Sequence, residues 1–170
     1  SSGIFLGRDY THDLPRPGIA LYGGNPTPAS PNPMRPVAHL EGTIMQVREV
    51  KAGESVGYSA TWSADRQSRI AVLGAGYKDG VPRALSSSSR GNGPRAWLAG
   101  HYCPIVGRIS MDMMAIDVTD VPPALVHRGA RAELIGAHVP IDEAAAHAGT
   151  ISYELLTRLG SRIVFSAEDE

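Results

Sequence analysis

From Val37 to about Pro140 the chain is written in the period of a β-strand. In "AHLEGTIMQVREV" apolar and polar residues alternate at every second position, which puts one face toward a core and the other toward water. "SRIAVLGAGY" is an almost continuous apolar strand closed by glycines, and "DMMAIDVTDV" and "ARAELIG" alternate again. "KAGESVGYS" reads as a turn, and "RAWLAGHYCPIVGRI" as a hairpin across Ala99-Gly100. Wound as helices, these segments would scatter their apolar residues around the axis. The fold expected is therefore mainly β, a compact antiparallel barrel-like domain of several short strands.

The period changes at both ends. After Pro140, "IDEAAAHAG" has helical spacing, with Asp142 near its start and Gly149 as its stop. "TISYELLTRLG" offers Thr150 as an N-cap before a second short helix ending at Gly160. Before Val37, "NPTPASPNPMRP" carries five prolines and reads as an extended connector. The stretch "LPRPGIALYGG", Leu14 to Gly24, reads as a strand end, an arginine, a proline and a glycine opening a short helix. Free backbone N–H groups at such a helix start suit a phosphate. The run Ser86 to Ser89 with "RGNG" reads as a short flexible loop. Two regions are expected, residues 1–36 and 37–170.

Composition narrows the function classes. The chain has 170 residues, 42% hydrophobic and 19% charged, enough for one domain with a sizeable core. A net charge of -1 argues against a general nucleic-acid binder or a basic membrane-surface protein. No apolar run approaches the ~18 residues of a membrane span, and the N-terminus lacks the pattern of a signal peptide. The single cysteine, Cys103, excludes an internal disulfide framework and suits a reducing cytoplasm. No metal site is expected. Opening on Ser1-Ser2-Gly3 without a methionine suggests that the chain begins mid-protein.

Three glycine-flanked stretches carry side chains able to do chemistry. "SVGYSATW" sets Tyr58 beside Gly57 just past a turn, and "GAGYKDGVPR" sets Tyr77 at a strand end followed by Arg83. "VGRISMDMM" sets Arg108, Met111 and Asp112 on and around another strand. Singly, these read as rim or core aromatics, a solvated arginine and a turn whose glycines are chosen for their φ values.

Together, in the order "SSGIFLG", "RPGIALYG", "VGYSATW", "GYKDGVPR", "VGRISMD" and "TISYE", the chain resembles the C-terminal portion of alanine racemases. These are pyridoxal-phosphate (PLP) enzymes that interconvert L- and D-alanine. The resemblance covers essentially all 170 residues. It departs at Lys78, where alanine is usual, and at Ser59, where glycine often follows the tyrosine.

The resemblance implies an N-terminal (β/α)8 barrel that holds PLP, followed by a β-domain. Residues 1–36 would be the tail of that barrel, its remainder not on this chain. Arg16 would face the pyridine nitrogen of PLP. A guanidinium has only donors and keeps its protons, so the ring nitrogen would stay largely unprotonated. The backbone N–H groups of Gly18 and Ile19 and the hydroxyls of Ser1 and Tyr153 would meet the phosphate.

Racemisation takes a proton from one face of Cα and returns one to the other, so two bases flank it. The resemblance makes these a barrel lysine and Tyr58, the tyrosine coming from the partner subunit of a head-to-tail homodimer. Phenols in water ionise near ~10, so one that acts as a base calls for a cation or a dry, donor-rich site. Met111 would bind the alanine carboxylate through its backbone N–H. Tyr77, Arg83, Arg108 and Ile151 would line the corridor through which substrate enters. Asp112 lies beside that set, with an electrostatic or a structural role.

Neither Lys51 nor Lys78, the two lysines, stands in the context of the PLP lysine. The 170 residues by themselves are thus expected to be inactive, as part of a cytoplasmic alanine racemase supplying D-alanine for peptidoglycan. Two other readings stay open, a non-catalytic β-domain assembly module and a broad-spectrum amino-acid racemase of the same fold. A basic amino-acid decarboxylase is disfavoured, because that group pairs the pyridine nitrogen with an acid where Arg16 stands.

Overall fold

The computed structural model describes residues 1–88 and 93–167. Eight strands form: β1 Leu40–Val50, β2 Ser55–Val56, β3 Trp62–Ser63, β4 Ser68–Leu73, β5 Arg95–Leu98, β6 His101–Val106, β7 Met114–Asp117 and β8 Arg131–Ile135. Three α-helices accompany them, α1 Ser2–Leu6, α2 Ile141–Ala148 and α3 Ser152–Thr157. Six strands close a barrel in the order β1-β4-β7-β6-β5-β8, and β2 and β3 form a separate two-stranded ribbon. Every pairing is antiparallel. The mainly-β expectation holds, and the barrel is closed.

Closure falls to β1. Its first residues, Leu40 to Thr43, pair with β8, and Ile44 to Val50 pair with β4. The register breaks between Leu40 and Glu41 and between Ile44 and Gln46, where the extra residue bends the strand around the barrel. The interior mixes large and small side chains, as a narrow barrel requires. Ile44, Leu73, Leu98, Ile105, Met114 and Ile116 interdigitate with Ala71, Ala96, Ala132 and Cys103. The β2–β3 ribbon covers a second cluster around Trp62, with Val50, Val56, Ile70 and Val106.

The β5–β6 hairpin turns at Ala99 and Gly100, with φ 47 and 93. Two positive φ values match the twist of the flanking strands, so the expected hairpin forms as read. Cys103 lies inside it. Burial, with the charges of Asp117 and Asp120 adding, pushes its thiol up to about 12, so it stays protonated at neutral pH.

Four expectations are corrected. No strand ends at Leu14; the short helix expected after Gly18 does form, as the four-residue 3-10 turn Ile19–Tyr22, ended by Gly23 at φ 88. Strand β7 starts at Met114, because Ser110 and Met113 first close a turn: Ser110 N–H donates to Met113 O at 2.9 Å, and Met113 N–H to Ser110 Oγ at 3.2 Å. Thr150 does not cap α3. Ile151 holds the N-cap position, and the Thr150 hydroxyl instead donates to Glu154. The helix ends at Thr157, short of Gly160. Of the serine loop, residues 89–92 lie outside the described residues; Ser87 before them bridges to Gly107.

On the outer face of β5, the Trp97 ring stacks on His138 at 4.2 Å and 8°. Beneath it Glu133 accepts three hydrogen bonds, from the ring of His138 at 3.0 Å and from the backbone N–H groups of His138 and Val139, both at 2.7 Å. Burial alone would raise this carboxyl. The His138 ring bond, the two N–H bonds and the His138 charge outweigh burial and hold it below its ordinary 4.5. A carboxyl depressed on folding adds stability above its unfolded value and loses it as pH falls through the lower folded one. Glu133→Gln should therefore flatten the acid limb of the stability curve. Urea midpoints measured from about pH 7 down to about pH 3 test this, and parallel curves for both proteins would refute it.

Candidate functional site

The residues singled out in the sequence fall into two groups. The first gathers at one rim of the barrel, where three loops meet back to back. Gly57 (φ 80) leads into a 3-10 turn, Tyr58–Ala60. Gly107 lies against Val56, so closely that a Cβ on it would stand 2.5 Å from Val56 O. A Cβ on Gly57 would in turn stand 2.9 Å from Arg108 N. This mutual approach, backbone on backbone, sets Tyr58 beside Arg108. Ser59 and Ala60 then take φ 60 and 48, a left-handed conformation costing a non-glycine residue about 1 kcal/mol each. Ser59 thus fills a place glycine would hold more easily. The tyrosine ring is thrown outward and is 71% exposed.

The second and third loops join in the same way. A Cβ on Gly76 would lie 2.5 Å from Ser110 O and 2.6 Å from Asp112 N. Tyr77 N–H donates to Ser110 O at 3.0 Å and Lys78 N–H to Met111 O at 2.9 Å. Tyr77 and Met111 are consequently neighbours, both exposed. Arg83 begins the next 3-10 turn, and its carbonyl accepts from Ser86 N–H at 3.0 Å. The Ser86 hydroxyl accepts from Ile109 N–H at 3.0 Å, which ties that loop to the Arg108 strand end. Tyr58, Tyr77, Arg83, Arg108, Met111 and Asp112 are thus carried on interlocked loops.

The second group is a cup built from both ends of the chain. Gly18 N–H donates to Ser1 Oγ at 2.8 Å and Ala20 N–H to the same oxygen at 3.3 Å. Tyr153, on α3, approaches Gly18, whose Cβ would meet its ring at 3.9 Å. Ile19 is buried and anchors the 3-10 turn, while Ile151 projects beside Tyr153 and is 62% exposed. The Ser1 hydroxyl oxygen thus collects two backbone N–H groups, with the Tyr153 ring alongside, and an acceptor in that place is what an oxyanion oxygen would be. Arg16 is exposed, and no hydrogen bond or ion pair of its side chain occurs among the described residues.

Two acids that the sequence reading left without a role organise these groups. Asp142 accepts from Asn25 N–H at 2.9 Å, from Asn32 Nδ2 at 3.3 Å and from the Ser152 hydroxyl. It ties the proline-rich connector to α2 and α3, the helix that carries Tyr153. The leading residues pack here: Ile19, Ala20, Gly23, Gly24 and Pro26 are all buried. Asp79 does the corresponding work at the rim. The signal was an acid in a glycine-rich turn for Asp79 and an acid at the start of an alanine-rich helix for Asp142. Among the described residues no helix is long and apolar enough to cross a membrane.

Residues 37–166 match the family described as alanine racemase, C-terminal domain. The chain is similar to the alanine racemase of Methylobacterium sp. (strain 4-46), 54% identical over 162 residues, which cover 95% of this chain and 43% of that protein. The solved alanine racemase from Acinetobacter baumannii matches 96% of this chain and 45% of its own length, with a TM-score of 0.85 at 40% identity. The alanine racemase from Bartonella henselae, solved with covalently bound pyridoxal phosphate, matches 94% of this chain and 43% of its own, with a TM-score of 0.83 at 43% identity. The chain spans less than half the length of each.

Proposed function

The chain belongs to the alanine racemase family through its C-terminal domain, and from that premise we propose that it supplies one half of the active site of a PLP-dependent alanine racemase. The observation that carries the reading is the interlocking of the Gly57, Gly76 and Gly107 loops. It brings Tyr58, Tyr77, Arg108 and Met111 to one rim and leaves Tyr58 and Met111 more than half exposed, at 71% and 53%. An aromatic, basic and apolar set held this rigidly and left open suits completion by a second surface.

The cup fits the phosphate end of PLP. Ser1 and Tyr153 would hold it through their hydroxyls and Ile19 through its N–H, with the Gly18 N–H turned from Ser1 Oγ to the phosphate, and Arg16, a pure donor, would face the pyridine nitrogen. When bound, the cofactor supplies the electron sink that makes the Cα–H of alanine acidic. The lysine that carries it belongs to the N-terminal barrel, outside this chain.

In this reading the cup of one subunit faces the rim of its partner in a homodimer. Tyr58 would take the proton on one face of Cα as the phenolate or return it as the phenol, and the barrel lysine would serve the other. Met111 N–H holds the alanine carboxylate. Tyr77, Arg83, Arg108 and Ile151 narrow the corridor and exclude larger substrates. The product, D-alanine, would serve peptidoglycan synthesis in the cytoplasm.

The test is the full-length protein with PLP and L-alanine in deuterated water. Racemisation, with solvent deuterium appearing at Cα, is the expected result. A protein that holds PLP and exchanges no Cα hydrogen would favour the assembly-module reading, and exchange of bulky amino acids as fast as alanine would favour a broad-spectrum racemase.

A further inference from the structure

One buried carboxylate has no part in the chemistry above. Asp79 is 6% exposed and closes the 3-10 turn Tyr77–Asp79 between Gly76 and Gly80. Its Oδ2 accepts the Gly76 N–H at 2.9 Å. Arg162, from the segment after α3, donates to the same oxygen through Nη2 at 3.2 Å, and its Nε lies 2.8 Å from Oδ1. The main chain joins at the same point. Gly160 N–H donates to Asp79 O at 3.1 Å, and a Cβ on Gly80 would stand 2.7 Å from Arg158 O. One side chain therefore holds the Tyr77 turn from within and fastens it to the segment that continues from Tyr153.

The same turn is backed against Met111: Gly76 rests on Ser110–Asp112, and Lys78 N–H holds Met111 O. We infer that Asp79 is a positioning residue, whose pair with Arg162 fixes the Tyr77–Met111 rim and so sets the affinity for the carboxylate of the amino-acid substrate. The inference rests on the racemase reading. The substrate carboxylate keeps its charge throughout proton transfer at Cα, so its binding is the same in ground and transition states. Loosening the rim should then raise KM and leave kcat in place.

The two partners can be cut separately. Asp79→Asn keeps an acceptor for Gly76 N–H and loses the charge, whereas Arg162→Gln leaves the carboxylate buried without its cation. In the full-length holoenzyme each should raise KM for alanine about tenfold with kcat within about twofold. Arg162→Lys, which restores a point charge without the fork, should fall between Arg162→Gln and the parent. The double variant should be no worse than the poorer single one, because both cut the same contact.

Amide exchange at Tyr77 and Lys78 gives a readout independent of substrate and should quicken in both single variants. If the parent does not act on alanine, the racemase reading fails and amide exchange alone decides whether the pair holds the turn. If the parent is active and KM is unmoved in both variants, the positioning role is wrong. A fall in thermal midpoint and kcat with unchanged KM overturns it equally, since that marks a structural ion pair.

Discussion

In the full-length protein, Tyr58→Phe is expected to slow racemisation of alanine by about a hundred- to ten-thousandfold, the range that a positioned general base supplies. The substitution removes one oxygen from a ring that is 71% exposed on this chain, so the barrel core and the Gly57–Gly107 contact stay intact. Racemisation rates cannot reveal which face Tyr58 serves, because an equilibrium constant of one forces both directions to fall together. Exchange at Cα can. Each enantiomer should be followed separately in deuterated water at low conversion. Abstraction from the face that Tyr58 serves, that of L-alanine by the family resemblance, should collapse while exchange at the lysine face persists. Equal losses from both enantiomers would mean that the phenol is not a face-specific base.

Gly76→Ala is expected to lower stability and weaken substrate binding without touching a reacting group. Gly76 has φ -151, open to any residue, so conformational strain is not the cause. The cause is space. The new methyl would sit 2.5 Å from Ser110 O, 2.6 Å from Met111 C and 2.6 Å from Asp112 N, all backbone atoms of the turn that leads into β7, which cannot swing aside like a side chain. Overpacking of this kind costs about 1–3 kcal/mol, and relief here means pushing Met111 away from Tyr77. A lower urea midpoint together with a higher KM for alanine is the expected pair of results. Unchanged stability and KM would show that the two loops slide apart freely.

What the sequence made legible follows from the range of the forces involved. Alternation in Leu40–Val50 and Arg131–Ile135 is a local signal, and both segments form the strands expected. The Ala99-Gly100 hairpin is likewise set by two adjacent residues. Strand order is not local: nothing in β1 announces that its two halves will pair with β8 and β4, separated from each other by most of the domain. Thr150 misled because a hydroxyl before a helix has two uses, and here Glu154 takes it away from the cap. The motif residues around Tyr58, Tyr77 and Met111 were visible as a set only through the family resemblance. The reason for their glycines lies in contacts between loops about fifty residues apart, such as Gly57 with Arg108. Asp79 and Asp142 were passed over for the same reason. Each looks like a turn or helix-start acid locally, and each finds its partners far along the chain.

The closed order of the six strands constrains how this domain meets other proteins. Among the described residues every barrel strand has a neighbour on each side, although each half of β1 is paired on one side only, so no whole strand stands as a free edge for a foreign strand to extend. Outside the short β2–β3 ribbon, sheet augmentation is therefore disfavoured as a route to assembly or to misassembly. A companion is then recognised by loops and side chains, where a substitution at an exposed residue retunes affinity while the sheet beneath keeps its pairing.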